Sequence, residues 1–468
     1  MKSQKRAIRF LPRTVLFTLA FVAALLLAGC KGIPTAGERR AKADLNSVQQ
    51  GFRPHGAAVL PELSTNAPFT NFLVYAMLHQ PRVEAAYYDW AASVQRITVE
   101  RSLPDPQLTF ESDIAEMVMT VMPGLMQEFP GPGKLKAAAN VASAESQAKY
   151  FAFENSVLQT AFNFKQSYYP LWFLDEKIRI NRRMLGLLGE LEQIARAQNE
   201  VGKVTLQDVY RAQIEQDKLT TEIENLEDSR SPLMAQFKGA LGLRYEESDP
   251  PFPAQFASTP LDLGGDDLLA SAFARNPRLK MMEADVQMAG AVIAKARKSK
   301  VPDFSLGLMA DVKANPTMFR PLAGMTLPIW RDKIASEIAA AQANKRAAEA
   351  RLNAEQIMVA VDFAMKSYEY REVTRTLELL RNQLVPKARQ SLEIARAGYL
   401  AGQIDFFNLI DAERMLLNFQ LEEVEALARR EIVLSELSLS IMGMAPDGAP
   451  LLKAAGSTKA NSTNGPKP

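Results

Sequence analysis

The hydrophobic pattern of this chain changes period in a fixed order, and it does so twice. Residues 82–102 carry Val83, Ala86, Trp90, Val94 and Ile97 at three- and four-residue spacings, which predicts a helix with one buried face. Pro104 and Pro106 end it. The period then drops to two. Leu108 and Phe110 alternate with Gln107, Thr109 and Glu111, while Phe304, Leu306, Leu308 and Ala310 alternate with Ser305, Gly307 and Asp311. Met309 is the exception on an otherwise small or polar side. A second strand is predicted after each of these: Leu125 and Phe129 flank Gln127, and Met325, Leu327 and Ile329 alternate with Gly324, Thr326 and Pro328. Long helical patterns follow, from 134 to about 199 with only Pro170 as an obstacle, and from 332 to about 399 with only Pro386. Strong patterning resumes after each proline, so both are expected to bend the helix, not end it. Each run would span ~100 Å at the usual rise per residue. A helix of that length belongs to a coiled coil or a tube, not to the core of a compact globule.

Landmarks place the two halves in register. Val201-Gly202-Lys203 corresponds to Ala401-Gly402-Gln403, and Ala212 to Ala412, at an offset of 200. Pro104-Asp105 corresponds to Pro302-Asp303 at 198, and Gln80-Pro81-Arg82 to Asn276-Pro277-Arg278 at 196. So small a drift indicates a duplicated unit. The expected first repeat is 66–245, with a β-hairpin at 105–129 and a long helix hairpin at 134–241. A linker at 246–263 leads to the second repeat, 264–445, with a β-hairpin at 303–330 and a helix hairpin at 332–443. Gly202 and Gly402 are the expected helix reversals. Residues 446–468, rich in Ser, Thr, Asn, Gly, Lys and Pro, read as a disordered tail. The fold class is therefore mainly α with a small β part.

The N-terminus changes the charge reading. Five basic residues precede an apolar run at 15–27 and then Leu27-Ala28-Gly29-Cys30, which resembles a bacterial lipoprotein signal. Residues 1–29 would be removed, and Cys30, the chain's one cysteine, would carry an N-terminal acyl lipid. Lys31 fits the outer-membrane sorting rule of such lipoproteins, and residues 30–65 are expected to form an extended lipidated leader. Without its five basic residues the chain goes from a formal +2 to −3. No basic stretch interleaved with aromatics is present, so nucleic-acid binding has no support.

Strands of about ten residues have the length a membrane-spanning barrel needs. Four of them cannot close, and an open sheet edge is not tolerated in lipid. Three chains would pool twelve strands, an even number within the known range.

Taken together, the duplicated halves, the Pro-Asp joints, the lead-in Phe129-Pro130-Gly131-Pro132-Gly133-Lys134 and the Gly reversals resemble the TolC-like outer membrane efflux family, from about residue 66 to 443. The resemblance implies a homotrimer with a trimeric α-barrel in the periplasm and a 12-stranded outer-membrane β-barrel. It further implies an exit duct of a tripartite efflux system, working with a periplasmic adaptor protein and an inner-membrane pump. Acidic residues just after the reversals ring the constriction in that family, which here implies Asp208 and, in the second copy, Asn408 and Asp411. Tyr399 matches a tyrosine that helps hold the tunnel closed. The basic partner two residues after the glycine in some members is Ile404 here. The stretch around 119–134 is similar to the heavy-metal-resistance branch.

Chemistry of the chain's own is sparse. The two histidines, His55 and His79, have no neighbouring ligand types, and no nucleophile motif or phosphate loop occurs, so no catalysis, cofactor or metal site is expected. Asp208 and Asp411 have two readings: carboxylates near helix N-termini stabilised by the dipole, or a ring that favours cations. Met117, Met119, Met122 and Met126, with Met281, Met282 and Met288, are either apolar filler or soft ligands suited to Cu(I). The alternative to a channel is a lipid-anchored periplasmic coiled-coil scaffold or adaptor without a barrel, which should lack membrane strands.

Overall fold

The computed structural model describes residues 34–52, 59–115, 118–253, 256, 258, 268–311 and 317–444. Cys30, the signal segment, His55, Met117, part of the linker and the tail beyond 444 lie outside the described residues. In order, the elements are α1 (Ala36–Phe52), α2 (Phe69–His79), α3 (Pro81–Arg101), β1 (Gln107–Ala115), β2 (Val118–Phe129), α4 (Lys134–Glu200) and α5 (Leu206–Ala240), then α6 (Leu268–Arg275), α7 (Pro277–Arg297), β3 (Phe304–Asp311), β4 (Met318–Met325), α8 (Arg331–Leu379), α9 (Val385–Leu400) and α10 (Phe406–Ser435). The contacts divide the chain into two compact units.

The first unit comprises residues 1–46, 89–149 and 282–351 and holds the sheet. Its four strands are antiparallel in the order β1-β2-β3-β4, so β1 and β4 are edges. Register pairs Leu108 with Leu125, Leu125 with Leu308, Phe129 with Phe304, and Leu306 with Ala323. Opposed residues share a face, so Leu108, Phe110, Leu125, Phe129, Phe304, Leu306, Leu308 and Phe319 fall on one side, interrupted by Gln127. The other side carries Thr109, Glu111, Ser305, Gly307 and Asp311. Met309 does not break this pattern by exposure. It is buried opposite Gly124, whose missing side chain leaves the room: a Cβ there would lie 2.6 Å from the Met309 Cγ. At the base of the sheet, Asp303 accepts from the Gly131 backbone N–H at 2.7 Å and from Lys134 Nζ at 2.7 Å, tying the start of β3 to the start of α4.

Two sequence expectations need correction here. The second hairpin does not reach 330: β4 ends at Met325, and residues 326–330 lie outside any strand or helix. Nor are residues 30–65 an extended leader throughout, because 36–52 is α1. Thr35 Oγ1 accepts from the Glu38 N–H at 3.1 Å, and Leu45, Val48 and Phe52 repeat at helical spacing and are buried. Glu38 accepts from Lys42 (2.8 Å), Thr98 (2.8 Å) and Arg101 (2.5 Å). Burial opposes its ionisation, but these donors outweigh it and hold the carboxyl down at about 2.

The second unit comprises residues 47–88, 150–281 and 352–468. An aromatic core fills it near α2: Phe69 and Phe72 pack on Phe164, Tyr168 and Phe237. The duplication is visible in how the return helices end. Gln80 Nε2 donates to Gly239 O at 3.1 Å, and Asn276 Nδ2 donates to Ile441 O at 2.9 Å, so the residue before each Pro-Arg pair caps a return helix. His79 Nδ1 lies 3.2 Å from Leu241 O in the same junction, a structural position. The prolines act differently from each other. α4 continues through Pro170, whereas Pro386 follows a π turn at Leu380–Leu384 that separates α8 from α9. A wide turn absorbs the carbonyl that the missing proline N–H leaves without a donor.

Candidate functional site: the paired helix reversals

Both reversals close in the same way, and both need a residue with positive φ. Gly202 and Gly402 each stand at φ 73°. In the first, Gly202 N bonds Asn199 O and Lys203 N bonds Gln198 O, both at 2.9 Å. In the second, Gly402 N bonds Tyr399 O at 3.0 Å and Gln403 N bonds Gly398 O at 2.8 Å. Each glycine thus turns the chain in the left-handed region where a side chain is strained.

The restarts differ. Asp405 caps α10, accepting the Asn408 N–H at 2.9 Å, while Thr205 at the same place before α5 makes no side-chain cap. Asp208 is in the first turn of α5, half-buried, where a dipole reading applies. Asp411 is the sixth residue of α10, beyond the first turn, and is exposed. Asn408 is also exposed. The dipole therefore does not account for Asp411, and the true helix-start carboxylate of the second copy is Asp405, which spacing alone did not single out.

The two reversals share one core. Leu191, Ala195, Val209 and Ala212 of the first hairpin pack with Ala395, Tyr399, Phe406 and Leu409 of the second. Tyr399 is 2% exposed and sits edge-on to Phe406 with ring centroids 5.5 Å apart. Its hydroxyl is buried without a hydrogen-bond partner among the described residues. Burial, reinforced by the Asp208 charge, pushes the phenol up to about 12. The structure therefore brings Tyr399 and Asp208 together electrostatically but forms no Tyr399 hydroxyl link. Ile404, at the place of a basic partner, instead packs on Gly398, where a Cβ would lie 2.6 Å from its Cδ1.

The links between the hairpins are ones the sequence reading did not identify. Arg414 reaches across to Glu215, Arg396 to Glu190 at 3.2 Å, and Arg211 lies 6.0 Å from the Phe407 ring centroid. Glu413 was missed too, although a signal existed: it interrupts the stripe Phe406, Leu409, Ile410, Leu416, which otherwise reads as a buried helix face. The methionines of the first hairpin that can be described divide by burial: Met122 is buried and Met126 half-buried. Among the described residues, no group of three or more His, Cys, Asp or Glu is placed to hold a metal ion. No helix among the described residues is long and apolar enough to cross a membrane.

Comparisons with known proteins converge on one group. Residues 268–441 match the family model described as outer membrane efflux protein. The cobalt-zinc-cadmium resistance protein CzcC of Cupriavidus metallidurans is 21% identical over 336 residues, covering 70% of this chain and 79% of that protein. Among solved structures, the outer membrane protein VceC of Vibrio cholerae superposes with a TM-score of 0.67 at 17% identity, covering 80% of this chain and 96% of that one. CusC superposes with a TM-score of 0.71 at 16% identity, covering 84% and 96%.

Proposed function

We propose that this chain is a TolC-like outer membrane efflux protein, three copies of which pool their sheets into a closed barrel that serves as the exit duct of a tripartite efflux system. The observation that carries this reading is the sheet: one face is almost wholly apolar and exposed, with Phe110 at 65% and Leu306 at 57%, and both edges are open in a single chain. Such a sheet is stable in lipid only when its edges are paired, and three four-stranded sheets give an even, closable number. A periplasmic scaffold has no use for that face. The duct conducts passively and has no catalytic step of its own; the driving force comes from an inner-membrane pump joined through a periplasmic adaptor.

Within this reading the repeats at 66–245 and 264–445 supply equivalent parts of the wall, and Cys30 carries the acyl lipid that tethers the N-terminus to the outer membrane. Asp208 and Asp411, repeated three times around the axis with Asn408, line the constriction and favour cations. Tyr399 holds the two reversals together by packing. The likeness to a cobalt-zinc-cadmium resistance protein favours divalent metal ions as cargo, to which rings of carboxylates are suited.

Planar-bilayer recording tests the constriction: Asp208→Ala and Asp411→Ala should each lower cation selectivity, and unchanged selectivity in both would remove the ring from the account. Loss of metal tolerance on deleting the gene, restored by the wild-type chain, tests the cargo; unchanged tolerance to cobalt, zinc and cadmium would exclude it.

A further inference from the structure

Glu413 sits in the middle of the buried face of α10, 2% exposed, yet among the described residues neither of its carboxylate oxygens has a hydrogen-bond partner. It lines a cavity of about 300 Å³ between α10 and the first hairpin, α4–α5. Met184, Leu188, Leu219, Ile410 and Leu417 give that cavity apolar walls. The other charged side chains around it are committed elsewhere. Arg414 and Lys218 both hold Glu215, the latter at 3.1 Å, and Glu222 holds Lys177 at 3.0 Å. Arg396, the cation on α9 whose field acts on Glu413, is held by Glu190 at 3.2 Å. A carboxylate buried without donors or a cation in contact is costly and is relieved by either a proton or a bound cation.

We propose that this cavity is a binding site for a compact monovalent organic cation with an apolar body, its cationic head on Glu413 and its body against Met184, Leu188 and Leu219. A hydrated metal ion does not fit the donor set, because hard cations require several oxygen ligands and this site offers one free carboxylate. The cavity volume lies at the small end of the range for small-molecule sites, and a thioether is a polarisable wall for such a guest. An occupied site ties α10 to the first hairpin close to both reversals. The inference needs only the packing of α4, α5 and α10, so it stands or falls independently of conduction.

Burial pushes Glu413 up to about 7, with Arg396 opposing. The guest therefore competes with a proton, and its affinity should fall about tenfold per pH unit below that value and level off above it. Calorimetric titration of the full-length protein in detergent with benzyltrimethylammonium chloride tests this. We expect one saturable site per chain at pH 8, at least about tenfold weaker binding in Glu413→Gln, and the same loss in Leu219→Trp, which fills the cavity and leaves the carboxylate in place. Circular dichroism establishes that each variant is folded, and the second variant decides if the first is not. Absence of saturable binding by the wild type at pH 8, undiminished binding in the folded variants, or affinity independent of pH would overturn the proposal.

Discussion

Replacing Glu413 by glutamine should make the packing of the two hairpins insensitive to pH over a window where the wild type is not. The carboxyl is raised from 4.5 to about 7 in the folded chain by burial, so between those values the folded state binds a proton that the opened state releases. Stability from this group is complete below pH 4.5, declines as pH rises, and is lost above about 7. The shift corresponds to about 3 kcal/mol per chain, or roughly a 300-fold change in the local opening equilibrium. Because Glu413 is 2% exposed, solvent screening takes little from that figure. Glutamine preserves the shape and carries no charge at any pH, so it should track the protonated wild type. Hydrogen–deuterium exchange of peptides from residues 406–417, corrected for intrinsic rates, reads the opening directly. Wild type and Glu413→Gln should protect these amides equally at pH 5, with the wild type far less protected at pH 8. A wild-type-to-variant difference of the same size at both pH values would refute the reasoning.

Other substitutions separate conformational from contact effects. Gly402→Ala should cost ~1–2 kcal/mol, the price of the left-handed conformation alone, since a Cβ there meets nothing within 4 Å. Gly443→Ala should cost clearly more in the same thermal melts, because its Cβ would lie 2.7 Å from the Arg275 carbonyl oxygen; equal losses would contradict the packing. Tyr399→Phe removes a buried hydroxyl without a partner and should leave stability unchanged or raise it by about 1 kcal/mol. Its single-channel conductance should match the wild type, and a leaky variant would show that the hydroxyl makes a link after all. Glu38, held down at about 2, contributes stability that is present above its ordinary 4.5 and lost as pH falls towards 2. Exchange of peptides within 36–46 should accelerate over that interval in the wild type, and Glu38→Gln should abolish the dependence.

How much of this molecule could be read from its sequence depends on the range of the interactions involved. The period-two alternation around Phe304 and the glycines of the reversals are local signals, because pleat and positive φ are set by the residues themselves. The extent of β4 is harder to read: Met325, Leu327 and Ile329 alternate correctly, but the pairing runs through Met318 to Met325, and which stretch faces β3 is set by tertiary register, not by the alternation itself. Helix α1 is hard to read because its composition is polar and its buried apolar positions, Leu45, Val48 and Phe52, are sparse; the aromatic partners of Phe52, Tyr87 and Phe153, lie far along the chain. At the reversals, Glu413 was legible as a carboxylate in an apolar stripe. That it lacks a partner, and that Arg414 turns to Glu215 some 199 positions away, depends on tertiary packing that no spacing encodes.

The central claim is that one face of the sheet meets lipid and the other meets water inside a closed barrel. Cysteine scanning in intact outer membranes tests it most directly, with a membrane-impermeant maleimide and a lipid-borne nitroxide as probes. Leu108→Cys, Phe110→Cys and Leu306→Cys should resist the maleimide and be quenched by the nitroxide once labelled with a fluorophore. Thr109→Cys and Ser305→Cys, on the opposite face, should show the reverse. Equal reaction of both faces with the water-soluble reagent would contradict the account.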